Sequence, residues 1–367
     1  MVSGRVERVR VVAVEVPLVR PFVTAVRRAD RLRAVLVEVT DGDGRSGWGE
    51  AATSWRVTGE SPQSVAAAAL GPIADAVTGL PVDDPAAWGR AVETSVVGNA
   101  AARSAVDCAL WDLAARAAGL PLAGFIGGRA GPVRTDMTLS VGTPQDLLER
   151  AREHTGFGTL KVKVGGGEHD VEGVEALRRE LGPALVLRVD ANQAWTADEA
   201  VAAIRRWEES GVGLDFVEQP VPAADVEGLA AVRAAVTTPV LADESVWNLR
   251  DLRQVIRYGA ADAINVKLAK SGGITEARRM LALAAEAGLG VMAGCMMESH
   301  VGIAASAALA ATLTGTAAQD LDAGLWLTRS PVSGGIEYDG DLVRLSPAPG
   351  LGITALAPDA AAHELHP

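Results

Sequence analysis

The hydrophobic pattern changes character about a third of the way along this chain. Residues 5–17 and 33–40 alternate apolar and polar positions, which predicts antiparallel strands. Between them the segment PFVTAVRRADR (21–31) reads as a polar, arginine-bearing loop, and DGDGRSGWGEA carries a Gly-rich turn at 41–44 between two strands. Residues 62–78, 85–96 and 100–118 have helical spacing, and the last of these runs out in the breakers of AAGLPLAGFIGG. This first part is an α+β layout. From about residue 133 short apolar runs alternate with helical stretches. Strands are expected near 134–141, 159–164, 185–190, 214–218, 239–243, 262–267, 289–293 and 317–321. Helices are expected between them, for example at 170–181, 197–211, 226–235, 249–258, 274–287 and 301–314. Seven or eight such units in succession fit a compact β/α barrel. After residue 330 the chain returns to short strands and turns, a tail expected to pack back on the N-terminal part. The expected division is 1–128, 129–329 and 330–367.

Composition narrows the function classes. The chain has 367 residues, 49% apolar and 22% charged, as a globular protein should. A net charge of −12 argues against nucleic-acid binding, which favours a basic surface. With only Cys108 and Cys295 there is no disulfide framework and no cysteine zinc site. The N-terminus alternates like a strand and lacks the apolar core of a signal peptide, and no run is long enough to span a membrane. A cytoplasmic enzyme is the expectation, assembled as a homo-oligomer whose interface is not legible in the sequence.

The candidate chemistry sits at the ends of the apolar runs. TLKVKV carries Lys161 and Lys163, LVLRVDAN carries Asp190, LDFVEQP carries Glu218, PVLADES carries Asp243 and DAINVK carries Lys267. Successive members from Asp190 onward are 28, 25 and 24 residues apart, the length of one strand, one helix and two loops. Parallel barrel strands present their C-terminal ends on one side, so these charges should converge. Lys161 and Lys163 are two apart on a strand and face the same way. An isolated pair of that kind is usually solvated, but these flanks are apolar. Two close ammonium groups disfavour each other's charge, which would let Lys163 act as a base. A single strand-end Asp is commonly a helix cap. Three carboxylates in succession without His or Cys suit hard-oxygen ligation of Mg²⁺ better than zinc. Lys267 lies four strands from Lys163, so the two can approach a substrate from opposite faces. The glycines of KSGGI and Gly165–Gly167 read as turns, since no phosphate-loop pattern is present. His300 reads as structural.

Taken together, GWGEA, SAVDCALWDLAARAAGLPL, KVKVG, DANQAW, VEQP, ADES, NVKLAKSGGI and PGLGI, in this order, resemble the enolase superfamily in its muconate-lactonizing subgroup over nearly the whole chain. The resemblance implies an α+β capping domain over a (β/α)₇β barrel of the α/β class. It implies Mg²⁺ on Asp190, Glu218 and Asp243, with Lys163 and Lys267 as acid/base residues and Lys161 in electrostatic support. Members abstract a proton α to a carboxylate and stabilise the enediolate on the metal. Within the subgroup the run QDLDAGLWL resembles that of dipeptide epimerases, where an Asp-x-Asp pair, here Asp320 and Asp322, binds the substrate's N-terminal ammonium. GCMMES resembles the seventh-strand end of the epimerases and brings Met297 and Glu298 into the expected substrate-binding set. Arg27 matches the position where Ala-Glu epimerases carry an arginine for the glutamate side chain. Trp55, in the TSWRVTGE loop, is expected to line the same pocket, although a small aliphatic residue is the family pattern there. The alternatives are N-acylamino acid racemisation or o-succinylbenzoate synthesis in the same barrel, then muconate cycloisomerisation, and, from another class, a catalytically inert barrel that only binds.

Overall fold

The computed structural model describes residues 4–23, 28–167, 169–315 and 317–366. The first layer is a four-stranded antiparallel sheet built from a long hairpin, Val6–Val23 and Arg28–Asp41, with Ser46–Ala52 on one side and the C-terminal strand Ala361–Glu364 on the other. The last strand pairs with the first through Val12↔Glu364 to Glu15↔Ala361, so the tail returns to the N-terminal sheet. The hairpin extends further than the alternation suggests. Phe22 pairs with Ala29 and Val23 with Arg28, which carries strand structure into the segment that reads as a loop.

The buried helix Ala100–Ala117 packs across Ser46–Ala52 at short range, and GWGEA explains how. Gly47 and Gly49 face the helix. A Cβ at Gly49 would stand 2.0 Å from the carbonyl oxygen of Ala105. Only glycine at these positions lets the two backbones meet. The helix expected over 62–78 is kinked at Gly71–Pro72, because proline has no N–H to give and its ring crowds the preceding turn.

The second layer is a parallel sheet of seven strands in chain order, from Met137–Leu139 through Thr159–Lys163, Val186–Asp190, Val217–Glu218, Val240–Ala242 and Ala263–Lys267 to Gly290–Gly294. Helices Asp170–Leu181, Ala197–Glu209, Val226–Ala235, Leu249–Tyr258, Ile274–Glu286 and His300–Ala310 fall where the periodicity predicts them. One more, Pro144–Glu153, starts at a Thr143 capping box. The eighth strand position is reduced to two residues. Gln319 bridges Thr135 on one side and Asp320 bridges Gly294 on the other, so the sheet closes into a ring. Among the described residues no helix is long and apolar enough to cross a membrane.

Candidate active site

Parallel pairing brings the strand-end charges to one level. Lys163 stands opposite Asp190, and Asp190 opposite Glu218. Lys267 ends its strand beside Gly294, and Asp243 follows the strand Val240–Ala242. One cavity is lined by Lys161, Lys163, Asp243, Lys267, Asp320 and Asp322. Phe22, Met297 and Trp326 close its apolar side.

Asp190, Glu218 and Asp243 are fully buried, with carboxylate oxygens within 4.8 Å of one another. Asp190 Oδ2 meets Lys163 Nζ at 2.5 Å, and its Oδ1 accepts the Asn192 N–H at 2.9 Å. Asp243 Oδ2 meets Lys267 Nζ at 2.7 Å, and its Oδ1 takes Lys270 Nζ. Glu218 Oε1 accepts from Asn265 Nδ2 at 2.7 Å, whereas its Oε2 is buried with no hydrogen-bond partner. Burial and the neighbouring Asp190 push the Glu218 carboxyl up to about 8. Burial opposes charge on Asp243 as well, but Lys267 and Lys270 hold it well below the usual carboxylate range. Three converging carboxylates with an orphaned oxygen among them fit a hard divalent cation. A cation on these oxygens would compete with Lys163 and Lys267 for Asp190 and Asp243.

Lys163 and Lys267 stand four strand positions apart in a ring of eight, on opposite walls. Burial lowers the affinity of Lys267 for its proton, yet Asp243, Glu218 and Asp320 together hold its pKa well above that of a free lysine. Lys161 and Lys163 approach the same oxygen of Asp190, Lys163 the more closely. Lys161 Nζ lies 2.6 Å from Asp320, with Asp190 and Glu218 at 3.6 and 3.7 Å. Asp322 is held differently, its Oδ2 accepting the Thr138 N–H at 2.7 Å and Trp326 Nε1 at 3.1 Å. Burial and the adjacent Asp320 raise its pKa.

Two expected residues stand elsewhere. Trp55 is 74% exposed and does not line the cavity; its loop turns back through three bonds to the Ser54 carbonyl, which points Trp55 to solvent and puts Val57 on the cavity wall instead. Glu298 is buried behind the wall rather than on it, packed over Gly302 with its Oε2 unpartnered and its pKa pushed up to about 8 by burial and by Glu50. Arg27 lies outside the described residues. His300 opens a helix, with burial pushing its pKa down to about 4.

Other residues of the site emerge only in three dimensions. Asn265 lies two residues before Lys267 and so shares its face; that spacing is the signal that could have found it. Arg188 likewise lies two before Asp190, and it fills the layer below with ion pairs to Asp136 at 3.0 Å and Asp215 at 2.9 Å. Gln219 follows Glu218, and its Oε1 receives the Asp243 and Ser245 amides at 3.0 Å each. Glu50 of GWGEA reaches across from the cap. It accepts from Ser299 N at 2.8 Å, Ser299 Oγ at 2.5 Å and Gly302 N at 2.9 Å, capping the helix behind Met297. Hydrogen bonds to a charged group contribute roughly 1.5–3 kcal/mol each.

Residues 6–127 match the family described as mandelate racemase / muconate lactonizing enzyme, N-terminal domain, and residues 145–360 match the family described as enolase C-terminal domain-like. The chain is 38% identical to the L-Ala-D/L-Glu epimerase of Bacillus subtilis over 96% of its own length and 98% of that protein's. A substrate-liganded structure of the Bacillus subtilis L-Ala-D/L-Glu epimerase superposes with a TM-score of 0.94, covering 96% of this chain and 99% of that one. The dipeptide epimerase of Enterococcus faecalis, solved with Mg and L-Leu-L-Tyr, superposes with a TM-score of 0.90 at 35% identity over 95% and 99% of the two chains. That of Methylococcus capsulatus, solved with Mg and L-Arg-D-Lys, does so with 0.89 at 33% identity over 95% and 99%.

Proposed function

Because this chain belongs to the mandelate racemase/muconate lactonizing enzyme group of the enolase superfamily, we propose that it is a Mg²⁺-dependent dipeptide epimerase. It inverts the α-carbon of the dipeptide's C-terminal residue by 1,1-proton transfer. The observation that carries this reading is the pair Asp320 and Asp322. They are two buried carboxylates outside the candidate metal trio, and they line the cavity that both opposed lysines enter. Carboxylates there suit a substrate with a free ammonium and repel an all-anionic one.

Asp190, Glu218 and Asp243 would hold the metal. When bound, Mg²⁺ supplies the positive charge that offsets the negative charge growing on the substrate carboxylate as the α-proton leaves. The Cα–H bond breaks toward one lysine, whose neutral Nζ takes the proton. The opposite lysine, protonated, delivers its own proton to the other face. Lys163 and Lys267 exchange these roles when the reaction runs backward. Asp322, fixed by Thr138 and Trp326, orients the N-terminal ammonium together with Asp320. Phe22, Met297 and Trp326 limit the access of water to the reacting carbon.

Relatives at similar identity carry Glu, hydrophobic or cationic names, so identity alone does not choose the side chain. An acidic C-terminal residue, with Arg27 as its partner, is the proposed preference. A cytoplasmic homo-oligomer completes the proposal. Incubation with Mg²⁺ in D₂O against an L,L-dipeptide library, read by mass spectrometry, tests it. One deuterium gained at the C-terminal α-carbon is expected. Exchange confined to N-acylamino acids, with no dipeptide labelled, would replace this reading by the racemase one.

A further inference from the structure

A second cavity, of about 350 Å³, opens at the seam between cap and barrel, away from the site above. The cap helices Pro85–Ser95 and Ala100–Ala117 form one wall. Barrel residues from Asn248 to Arg253 and from Ser271 to Arg279 form the other. Four arginines line it, Arg103, Arg250, Arg253 and Arg279, against the carboxylates of Glu93, Asp107 and Glu276.

The carboxylates are already committed. Glu93 and Glu276 pair with Arg279 at 2.9 and 3.3 Å. Asp107 accepts from both the amide and the hydroxyl of Thr275. Among the described residues, Arg103, Arg250 and Arg253 form no ion pair, in a chain of net charge −12. Arg103 Nε is buried with no hydrogen-bond partner. The carboxylate whose field reaches Arg103, that of Glu60, is taken up by the amides of Ala101 and Ala102. The Arg103 guanidinium lies over Gly272, where a Cβ would stand 3.3 Å from Cζ. A buried guanidinium donor without an acceptor is costly, and a planar guanidinium matches the oxygens of phosphate in paired bonds.

We propose that this seam cavity binds a small phosphate-class oxyanion, with Arg103 at its floor and Arg250 and Arg253 at its mouth. The ligand touches cap and barrel together and so ties the two layers across the seam.

The test is calorimetric titration of the Mg²⁺-loaded full-length protein with inorganic phosphate at constant ionic strength, with chloride as the control and succinate as a carboxylate probe. Saturable phosphate binding is expected, weakened at least about tenfold in the Arg250→Gln/Arg253→Gln double variant. Both positions are exposed, so the fold is retained, and epimerase turnover stays unchanged. Arg103→Gln should abolish the binding. Phosphate that does not saturate, or that binds the double variant as tightly as the wild type, would overturn the proposal. Tighter binding of succinate than of phosphate would overturn the ligand class.

Discussion

Lys161 Nζ lies 2.6 Å from Asp320 Oδ2, and this contact joins the second strand of the barrel to its closing position. Burial disfavours the Lys161 charge, but Asp320, Glu218, Asp190 and Asp136 outweigh it and keep the ammonium protonated. Lys161 is the cation shared by Asp190, Glu218 and Asp320. Removing one partner of a buried ion pair costs about 3–5 kcal/mol. Lys161→Met should therefore lower the melting temperature of Mg²⁺-free protein sharply, and Mg²⁺ should restore more stability to the variant than to the wild type. Thermal unfolding with and without Mg²⁺ reads both. Equal metal-free melting temperatures would count against this role.

The Glu218 carboxyl makes metal binding depend on pH. Its native pKa of about 8 lies above the ordinary value of 4.5. Between those values the native state keeps a proton that the unfolded state has lost. Metal-free stability therefore falls as pH rises through this window. Mg²⁺ must displace that proton, so its affinity should climb with pH up to about 8 and then level off. Calorimetry in buffers of different ionisation enthalpy should find proton release at pH 6.5 and little at pH 9. Affinity independent of pH would contradict the assignment.

Much of this site was legible because a strand has a period of two and a barrel a fixed polarity. Those two facts bring Lys163, Asp190, Glu218, Asp243 and Lys267 together from their spacing alone. The other residues of the site lie where strand-end spacing carries no signal of its own. Asn265 and Arg188 share faces with Lys267 and Asp190 but lie one layer deeper, where an apolar side chain is the default. Lys270 sits in the short helix Leu268–Ser271, whose turn redirects it onto Asp243. Glu50 finds its partners 249 and 252 residues away, a distance no local pattern spans. Trp55 stands off the expected wall because the course of a loop depends on its own turn hydrogen bonds, here to Ser54. The eighth strand is reduced to Gln319–Asp320, whose two bridges close the ring.

The Glu50 clamp can be weakened without a change of size. Glu50→Gln keeps an acceptor for the Ser299 amide but loses the negative charge at the start of His300–Ala310 and part of the bonding to Ser299 Oγ and Gly302. A loss of about 1.5–3 kcal/mol is expected. Chemical denaturation measures it. Looser packing of Met297 should also raise KM more than it lowers kcat.

Asp322→Asn separates ammonium recognition from chemistry. The amide oxygen can still accept from Thr138 and Trp326, but the charge opposite the substrate's N-terminus is gone. KM for dipeptides should rise about tenfold or more, the worth of one charge-assisted hydrogen bond, with a smaller change in kcat. Steady-state kinetics on the favoured dipeptide decide this, and an unchanged KM would remove Asp322 from substrate binding.

The central claim is that Lys163 and Lys267 act on opposite faces of one α-carbon, and isotope washout in each single variant tests it most directly. Lys163→Ala and Lys267→Ala should each lose epimerisation by about 10²–10⁴-fold, the range of general acid–base catalysis. Each variant should still exchange the α-proton of one epimer with D₂O, and the two variants should exchange opposite epimers. Exchange of the same epimer by both variants, or full epimerisation in either, would contradict the two-base account.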